Sequence, residues 1–213
     1  MRLVAPGKPK DPFSAALDAL RDQLRRGRLV SGEPLTITEL AHDLGLSATP
    51  VREALSRLAG ERLIEDRRGR GYFAPRLDVS DIVELYDLRG LYLSRALVVA
   101  TASDGRDLGS AEPDLSESLS VADSIISRLD RIVARAGSRA LFDAYRQVSD
   151  RLAPVVRIEA EVFPVIEELA ALRAAQNDRA ALAVVLDALH ETRRRHADDA
   201  VRALRAGANI ASL

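Results

Sequence analysis

The chain of 213 residues contains no cysteine, which excludes disulfide bonds, thiolate metal sites and thiol nucleophiles. It holds only three histidines, which limits the number of metal sites or catalytic sites that could use an imidazole. The longest apolar stretch, Ala96 to Ala102, has about seven residues and is too short to span a bilayer. The first six residues lack the apolar core of a signal peptide. We therefore expect a cytoplasmic protein without a membrane segment.

The composition is that of a folded protein with an uneven charge distribution. Hydrophobic residues make up 47% and charged residues 30%, which excludes a disordered chain. The net charge of −1 by itself argues against a nucleic-acid partner. However, residues 1–76 hold 14 basic and 10 acidic side chains, whereas residues 77–213 hold 17 and 22. A basic front and an acidic rear indicate two modules with different partners.

The front of the chain predicts two helices separated by a turn. Apolar positions recur every three or four residues over 12–26, which indicates an amphipathic helix that ends at Gly27. Residues 31–34 are typical of a turn. Thr36 with Glu39 forms the pattern of a capping box, which opens a second, shorter helix.

A third helix follows the glycine turn at Gly45, and these two short helices together predict a helix-turn-helix. Ser47 is placed to cap the new helix. Two short apolar segments with a basic, glycine-containing tip at 67–70 then predict a β-hairpin. A hairpin after a helix-turn-helix is a wing. Residues 12–76 are therefore predicted to form a winged-helix DNA-binding domain, preceded by a flexible lead-in over 1–11.

The rear of the chain shows helical patterns and no strand signal. Val79 to Ala102 has helical spacing, with Leu88 and Leu91 among its apolar positions, and residues 101–120 predict a loop. Five further helices are predicted, at Val121–Ala136, Ser138–Leu152, Val155–Phe163, Val165–Gln176 and Arg179–Ala206. Residues 77–213 are therefore predicted to form an all-α bundle, and the fold class of the chain is mainly α.

The helix-turn-helix carries a specific motif. Residues 40–58 read Leu-Ala-His-Asp-Leu-Gly-Leu-Ser-Ala-Thr-Pro-Val-Arg-Glu-Ala-Leu-Ser-Arg-Leu, and Leu63-Ile64 and the basic wing follow. This combination resembles the GntR family of bacterial transcription regulators. Residues 81–89 and 167–190 are similar to the FadR-like, FCD-type C-terminal ligand domain of that family. The resemblance implies a DNA-binding regulator, and we expect no enzymatic activity because no catalytic motif is present.

The resemblance and the physics of DNA recognition select the same surface. The N-terminal residues of a recognition helix reach base edges in the major groove, where arginine binds guanine with two hydrogen bonds. Arg52 is placed for that contact, and in the family the positions of Arg68 and Gly69 reach the minor groove. The expected phosphate contacts are Arg57, Arg67 and Arg70, and the other expected DNA contacts are Ser47, Ala48 and Thr49.

Simpler interpretations of these residues remain open. In the first, Ser47 serves only as a helix cap. In the second, Arg52 pairs with a carboxylate of its own domain. In the third, Arg67 and Arg70 are solvated charges without a DNA contact. Ala48 departs from many relatives, which carry arginine at that position. This departure indicates a different operator sequence or a contact with a thymine methyl group.

Many FadR-like ligand domains bind a divalent metal through one Asp and three His, and a small carboxylate effector completes the coordination. Here only His190 and His196 lie in the rear part, because the third histidine is His42, so counting excludes that ligand set. We expect no cofactor. A divalent metal held by His190 and Glu168 is the alternative, and a hydrogen bond between these two side chains is the simpler interpretation. His196 is expected at the surface.

Without a metal, a carboxylate effector needs arginine, whose planar guanidinium binds carboxylates with two hydrogen bonds. Arg89 lies where relatives often carry an inward-facing arginine. The candidate effector-binding residues are Arg89, Arg146, Glu168 and His190. Two alternatives stay open: an ion pair between Arg89 and a carboxylate of the bundle, and an apolar pocket.

These observations predict a ligand-responsive repressor that binds a palindromic operator in double-stranded DNA as a homodimer. The dimer contacts are expected in the C-terminal bundle, and the effector is a small molecule, with a carboxylate as one option. The alternative is a dimeric DNA-binding regulator whose bundle serves only for dimerisation and senses no small molecule.

Overall fold

The computed structural model describes residues 11–25, 28, 29, 31–100 and 120–211, with side chains to residue 206. The chain divides into an N-terminal unit, Met1–Arg76, and a C-terminal unit, Leu77–Leu213. The lead-in predicted before residue 11, the helix end predicted at Gly27 and the loop predicted between residues 100 and 120 lie outside the described residues. None of the helices in the described part has the length and apolar character needed to cross a membrane.

The N-terminal unit is a winged helix-turn-helix. Its elements are α1 (Pro12–Arg25), β1 (Pro34–Leu35), α2 (Ile37–Leu44), α3 (Ala48–Gly60), β2 (Glu65–Arg67) and β3 (Gly71–Phe73). The apolar faces of the three helices enclose a core in which Leu20, Leu55 and Leu58 are fully buried. Together with the helical C-terminal unit, this confirms the predicted fold class.

Two details of this unit differ from the sequence-based predictions. The predicted turn is present at Ser31 and Gly32, but Pro34 at its end already begins the strand Pro34–Leu35. This strand pairs with Phe73 and Tyr72, so the sheet has three antiparallel strands in the order β1-β3-β2. A strand of two residues is too short to show an alternating pattern. The side chain of Thr36 makes no capping hydrogen bond, and α2 therefore begins without the predicted capping box.

The ends of α2 and α3 orient the helix-turn-helix. Gly45 closes α2 with φ 63°, a left-handed conformation that glycine adopts without steric cost. Arg62 takes a similar φ of 59° after α3. There the N–H of Leu63 donates to the carbonyl of Leu58 at 3.0 Å, which is the Schellman pattern of helix termination. This ending directs Leu63 and Ile64 into the core before the wing begins.

The C-terminal unit is helical in all its described elements. They are α4 (Val79–Ala100), α5 (Val121–Arg135), α6 (Arg139–Val156), α7 (Glu159–Val162), α8 (Val165–Ala174), α9 (Arg179–Arg195) and α10 (Ala197–Ala211). The long helix α4 packs against α5, α6 and α9. The predicted helix Arg179–Ala206 is in fact two helices, because the backbone leaves helical geometry at His196, with φ −108° and ψ 26°.

Helix α4 carries apolar side chains on two faces. Ile82 and Leu93 are fully buried in the bundle. Leu88 and Leu91, which the spacing placed among its apolar positions, are 39% and 61% exposed. Periodicity alone does not distinguish the two faces, because a helix that is apolar on several sides shows no single apolar stripe.

Candidate functional site

The N-terminus of α3 lies on the surface of the N-terminal unit. Ser47, Thr49 and Arg52 are exposed and Ala48 is half-buried, while Val51 on the opposite face is buried in the core. Ser47 occupies the N-cap position, but its side chain makes no capping hydrogen bond. No ion pair joins Arg52 to another described residue. The positive end of the helix dipole also favours phosphate at this point.

The tip of the wing joins β2 to β3 and is exposed. Arg68, Gly69 and Arg70 form this turn, and the N–H of Arg70 donates to the carbonyl of Arg67 at 2.7 Å. Gly69 has φ 74°, which favours glycine at the tip. Neither Arg68 nor Arg70 is paired with a carboxylate in the described part of the chain. The tip therefore presents two cations.

The other two arginines predicted to contact phosphate are held by carboxylates of their own unit. Arg57 Nε donates to Glu61 Oε1 at 2.7 Å. Arg67 Nε donates to Glu65 Oε2 at 2.8 Å, and its guanidinium lies 4.1 Å from the ring centre of Phe73. Burial disfavours the charged form of Glu65, but the hydrogen bonds from Arg67 and from the backbone N–H of Arg76, with the charges of both arginines, together lower the pKa of Glu65. Arg67 is therefore not the solvated charge that one interpretation proposed.

In the C-terminal unit, two of the predicted effector residues are in contact. Arg89 on α4 is 0% exposed, and its Nε donates to Nε2 of His190 on α9 at 3.2 Å. Its guanidinium also lies 4.7 Å from the ring centre of Tyr86. Arg89 Nη1 is buried and has no hydrogen-bond partner among the described residues. A buried cation without a bonded carboxylate is costly to the folded state.

His190 is neutral in this arrangement. Its Nδ1 donates to the carbonyl of Leu186 at 2.7 Å, which assigns the ring proton to Nδ1 and leaves Nε2 to accept from Arg89. Burial and the charge of Arg89 hold the pKa of His190 well below its usual value. Gly90 packs against His190, where a Cβ would lie at van der Waals distance, 3.4 Å from His190 Cγ.

This environment predicts a loss of stability in mild acid. In the unfolded chain a histidine takes up its proton near pH 6.5, whereas folded His190 stays neutral to lower pH. Well above pH 6.5 the imidazole of residue 190 is neutral in both the folded and the unfolded state. Below pH 6.5 the unfolded state binds one more proton than the folded state. The free energy of unfolding is therefore expected to fall by about 1.4 kcal/mol between pH 7.5 and 5.5.

Urea unfolding at the two pH values measures this difference. His190→Gln keeps an oxygen that accepts from Arg89 and is expected to remove most of the pH dependence. His196→Gln is the matched control, because His196 is exposed and should leave the difference unchanged. If His190→Gln shows the same difference in the free energy of unfolding between the two pH values as the unaltered protein, His190 is not the group responsible.

The third predicted residue, Glu168, belongs to a buried ion network around Arg193. Arg193 is 0% exposed and donates from Nη1 and Nη2 to Glu168 at 2.8 and 2.9 Å. It donates from Nε and Nη2 to Glu159 at 2.9 and 2.8 Å. Glu159 also accepts from the hydroxyl of Tyr86 at 2.8 Å. The expected hydrogen bond between His190 and Glu168 is therefore replaced by one between Arg193 and Glu168.

The ionisation of this network is set by Arg193. Burial opposes the charged form of Glu159, but the hydrogen bonds and charge of Arg193, the charge of Arg89 and the hydrogen bond from Tyr86 together lower the pKa of Glu159. Burial and the neighbouring carboxylate of Glu159 raise the pKa of Tyr86. The network joins α4, α7, α8 and α9, and sequence reasoning missed both Arg193 and Glu159.

The fourth predicted residue, Arg146, is paired elsewhere. Its Nη1 donates to Asp130 Oδ2 at 2.7 Å, and the hydroxyl of Tyr145 donates to the other oxygen of Asp130 at 2.9 Å. Among the described contacts none joins Arg146 to Arg89, His190 or Glu168.

A groove of about 420 Å³ lies between α4 and α9, beside this cluster. Its walls include Leu91 and Leu97 from α4, and Leu186 and His190 from α9. His190 thus lines the groove with its ring and also bonds to Arg89. Arg89 itself does not line the groove, because His190 lies between them, and the walls also include Asp87 and Asp187.

The residues present do not fit the divalent metal that the FadR-like resemblance implies. Both nitrogens of His190 are engaged, one by Arg89 and one by Leu186, and both oxygens of Glu168 accept from Arg193. A divalent cation would also meet the charge of Arg89. In the described part, no group of three or more His, Cys, Asp or Glu side chains could hold a metal ion.

The motif in the N-terminal unit matches a known family. Residues 13–73 match the model described as "Bacterial regulatory proteins, gntR family". A transcriptional regulator of Mycobacterium tuberculosis is 39% identical over 80 residues, which cover 38% of this chain and 33% of that protein. The "Nta operon transcriptional regulator" of Aminobacter aminovorans is 30% identical over 133 residues, covering 57% and 62%.

Solved structures extend the similarity of this chain to both units. The structure of E. coli McbR/YncC has a TM-score of 0.67 at 22% identity and covers 90% of this chain and 98% of its own. A GntR structure from Rhodococcus sp. RHA1 has a TM-score of 0.61 at 19% identity, covering 91% and 97%. At this identity the similarity shows the fold. The curated relatives are named as transcriptional regulators and not as enzymes, in agreement with the sequence.

Proposed function

We propose that this chain is a ligand-responsive bacterial transcription regulator, a repressor by default, which binds a palindromic operator as a homodimer. The observation that carries the proposal is the exposed N-terminus of α3, with Arg52 directed to solvent in a gntR-family domain. A relative from Paenarthrobacter nicotinovorans, 38% identical over 76 residues, is named as a probable transcriptional repressor of a D-xylose utilization operon.

In this proposal the exposed arginines of α3 and of the wing contact different parts of the DNA. Arg52 lies one turn into α3, where a guanidinium can bind O6 and N7 of guanine in the major groove. Arg68 enters the minor groove from the wing, and Arg70 neutralises a phosphate. Two-fold symmetry of the homodimer would place one winged helix on each half-site, which makes the operator an inverted repeat.

Arg52→Ala is expected to weaken operator binding by roughly 1–3 kcal/mol and to relax specificity at one base pair of each half-site. Arg70→Ala should instead weaken binding to all sequences and reduce the slope of affinity against salt by about one. Fluorescence anisotropy measures both, on an operator selected from random duplexes and on its single-base variants.

Arg57→Ala is the matched control on the same helix, because Glu61 already holds that guanidinium. It should change the affinity less than Arg52→Ala does. If Arg52→Ala binds the selected operator as tightly as the unaltered protein, the recognition helix is wrongly assigned.

We further propose that the C-terminal unit is an FCD-type ligand domain of the FadR-like subfamily that works without a metal. Its effector would be a small carboxylate bound by Arg89, with His190 between the groove and the arginine. The buried Nη1 of Arg89 that lacks a partner supports this placement. Binding would change the equilibrium between forms with high and low affinity for DNA. The alternative is a bundle that serves only for dimerisation.

A further inference from the structure

Helix α4 presents an ordered row of side chains on the face opposite its buried side. Glu84, Leu88, Leu91 and Arg95 are spaced by four, three and four residues, so they follow one another along one face of the helix. All four are exposed, and Leu88 and Leu91 are 39% and 61% exposed, with Leu91 also at the edge of the groove between α4 and α9. We call these four residues the α4 stripe.

The charges of the α4 stripe have no partner in the described part of the chain. Neither Glu84 nor Arg95 makes a hydrogen bond or an ion pair with another described residue. By contrast Asp87, which is also exposed on α4, pairs with Arg194 at 2.9 Å. The stripe thus combines two solvent-facing leucines with one unpaired charge of each sign at its ends, a pattern that suits burial against another molecule.

The order of the stripe is self-complementary in an antiparallel arrangement. The midpoint between Leu88 and Leu91 is also the midpoint between Glu84 and Arg95. A two-fold axis through this midpoint would place Leu88 against the partner's Leu91. The same axis would place Glu84 against the partner's Arg95, which matches opposite charges at both ends.

We propose that the α4 stripe is the two-fold interface through which two copies of this chain pair, with their α4 helices antiparallel. The inference rests on the proposed homodimer and specifies its contact surface. A parallel pair would set Glu84 against the partner's Glu84 and Arg95 against the partner's Arg95, and these like charges would oppose it.

Exchange of the two charges tests the pairing. Glu84→Arg alone and Arg95→Glu alone each create like-charge contacts and are expected to raise the dimer dissociation constant at least tenfold. The double variant exchanges both signs and should restore dimerisation. Sedimentation equilibrium of the full chain measures the constant, and the exposed positions make a folding defect easy to exclude by circular dichroism.

Leu91→Asp tests the apolar centre of the stripe and is expected to give a monomer. Ile166→Asp is its control, because Ile166 on α8 is 70% exposed and lies on another helix. It should leave the dimer intact.

The absence of cysteine allows a direct test of register. A mixture of the variants Glu84→Cys and Arg95→Cys should form covalent dimers with a short bismaleimide. Either variant alone should not, since each cysteine would lie about 16 Å along the helix axis from its copy.

The outcomes separate this inference from the proposed function. An unaltered protein that is monomeric at all concentrations overturns both the dimer and the stripe. If Leu91→Asp remains a dimer, or if the double charge exchange does not restore dimerisation, the α4 stripe is not the interface. The proposed homodimer itself would then still stand. Operator binding by the unaltered protein, measured in parallel, shows whether the DNA-binding function stands.

Discussion

Arg193→Met is expected to lower the free energy of unfolding by about 3–5 kcal/mol, because it leaves the buried carboxylate of Glu159 and the partly buried carboxylate of Glu168 without their partner. Glu159 and Glu168 each accept two hydrogen bonds from this single guanidinium. Methionine fills a similar volume, so the loss reports the charges and hydrogen bonds more than a cavity. Glu159, which is almost fully buried, bears most of the cost.

Urea unfolding at pH 7.5 measures the effect. Arg195→Met is the matched control two residues along α9, because Arg195 is exposed and its ion pair among the described residues is with Glu191 on the surface, a contact worth less than about 1 kcal/mol. The triple change Arg193→Met, Glu159→Gln and Glu168→Gln removes all the charges and should recover part of the loss. Equal losses in Arg193→Met and Arg195→Met would show that the network does not stabilise the fold.

The helix-turn-helix was predictable because its determinants are local. Gly45 must follow α2 for the turn to form, and the apolar residues of α3 recur with helical spacing. The surface N-terminus of α3, with Ser47, Thr49 and Arg52, follows from that spacing alone. What local patterns do not determine is which charged side chains pair, and so Arg57 and Arg67 were assigned to phosphate although carboxylates of the same unit hold them.

The buried cluster of the C-terminal unit depends on contacts that are distant in sequence. Arg193 and Glu159 are 34 residues apart, and Arg89 and His190 are 101 apart. Arg193 also opens a run of three arginines that is typical of a helix surface. One local signal was present, since Arg193 follows the buried Leu186, Leu189 and His190 at helical spacing, which places it on the buried face of α9.

A small carboxylate that binds Arg89 is expected to stabilise the protein by about 2.7 kcal/mol at a concentration one hundred times its dissociation constant. The physical reason is that the ligand supplies a carboxylate hydrogen-bonded to Arg89, whereas Glu159 acts on Arg89 only through its charge. Arg89 Nη1 has no partner among the described residues, and its neighbour His190 is neutral. The nearby Glu159 accepts its hydrogen bonds from Arg193 and Tyr86 instead.

Thermal unfolding of the full chain with a panel of small mono- and dicarboxylates measures the shift, and affinity for the selected operator is followed with the same compounds. A chelator should leave the shift unchanged, since neither His190 nor Glu168 is available to a metal. Arg89→Met should abolish the response. Arg146→Met, the second predicted effector arginine, should retain it, because Asp130 holds that guanidinium.

Each result bears on a different part of the proposal. If the carboxylate-induced shift in thermal unfolding is lost in Arg146→Met but kept in Arg89→Met, the binding site lies at Arg146. If the chelator abolishes the shift, a metal takes part in binding. If no carboxylate changes stability or operator affinity, the bundle does not sense this class of effector and its role as a dimerisation unit gains support. Arg89 on α4 and His190 on α9 already bond to each other, so a ligand that binds Arg89 would act on the contact between these two helices. Through this contact the effector would act on the helix that we propose joins the two copies.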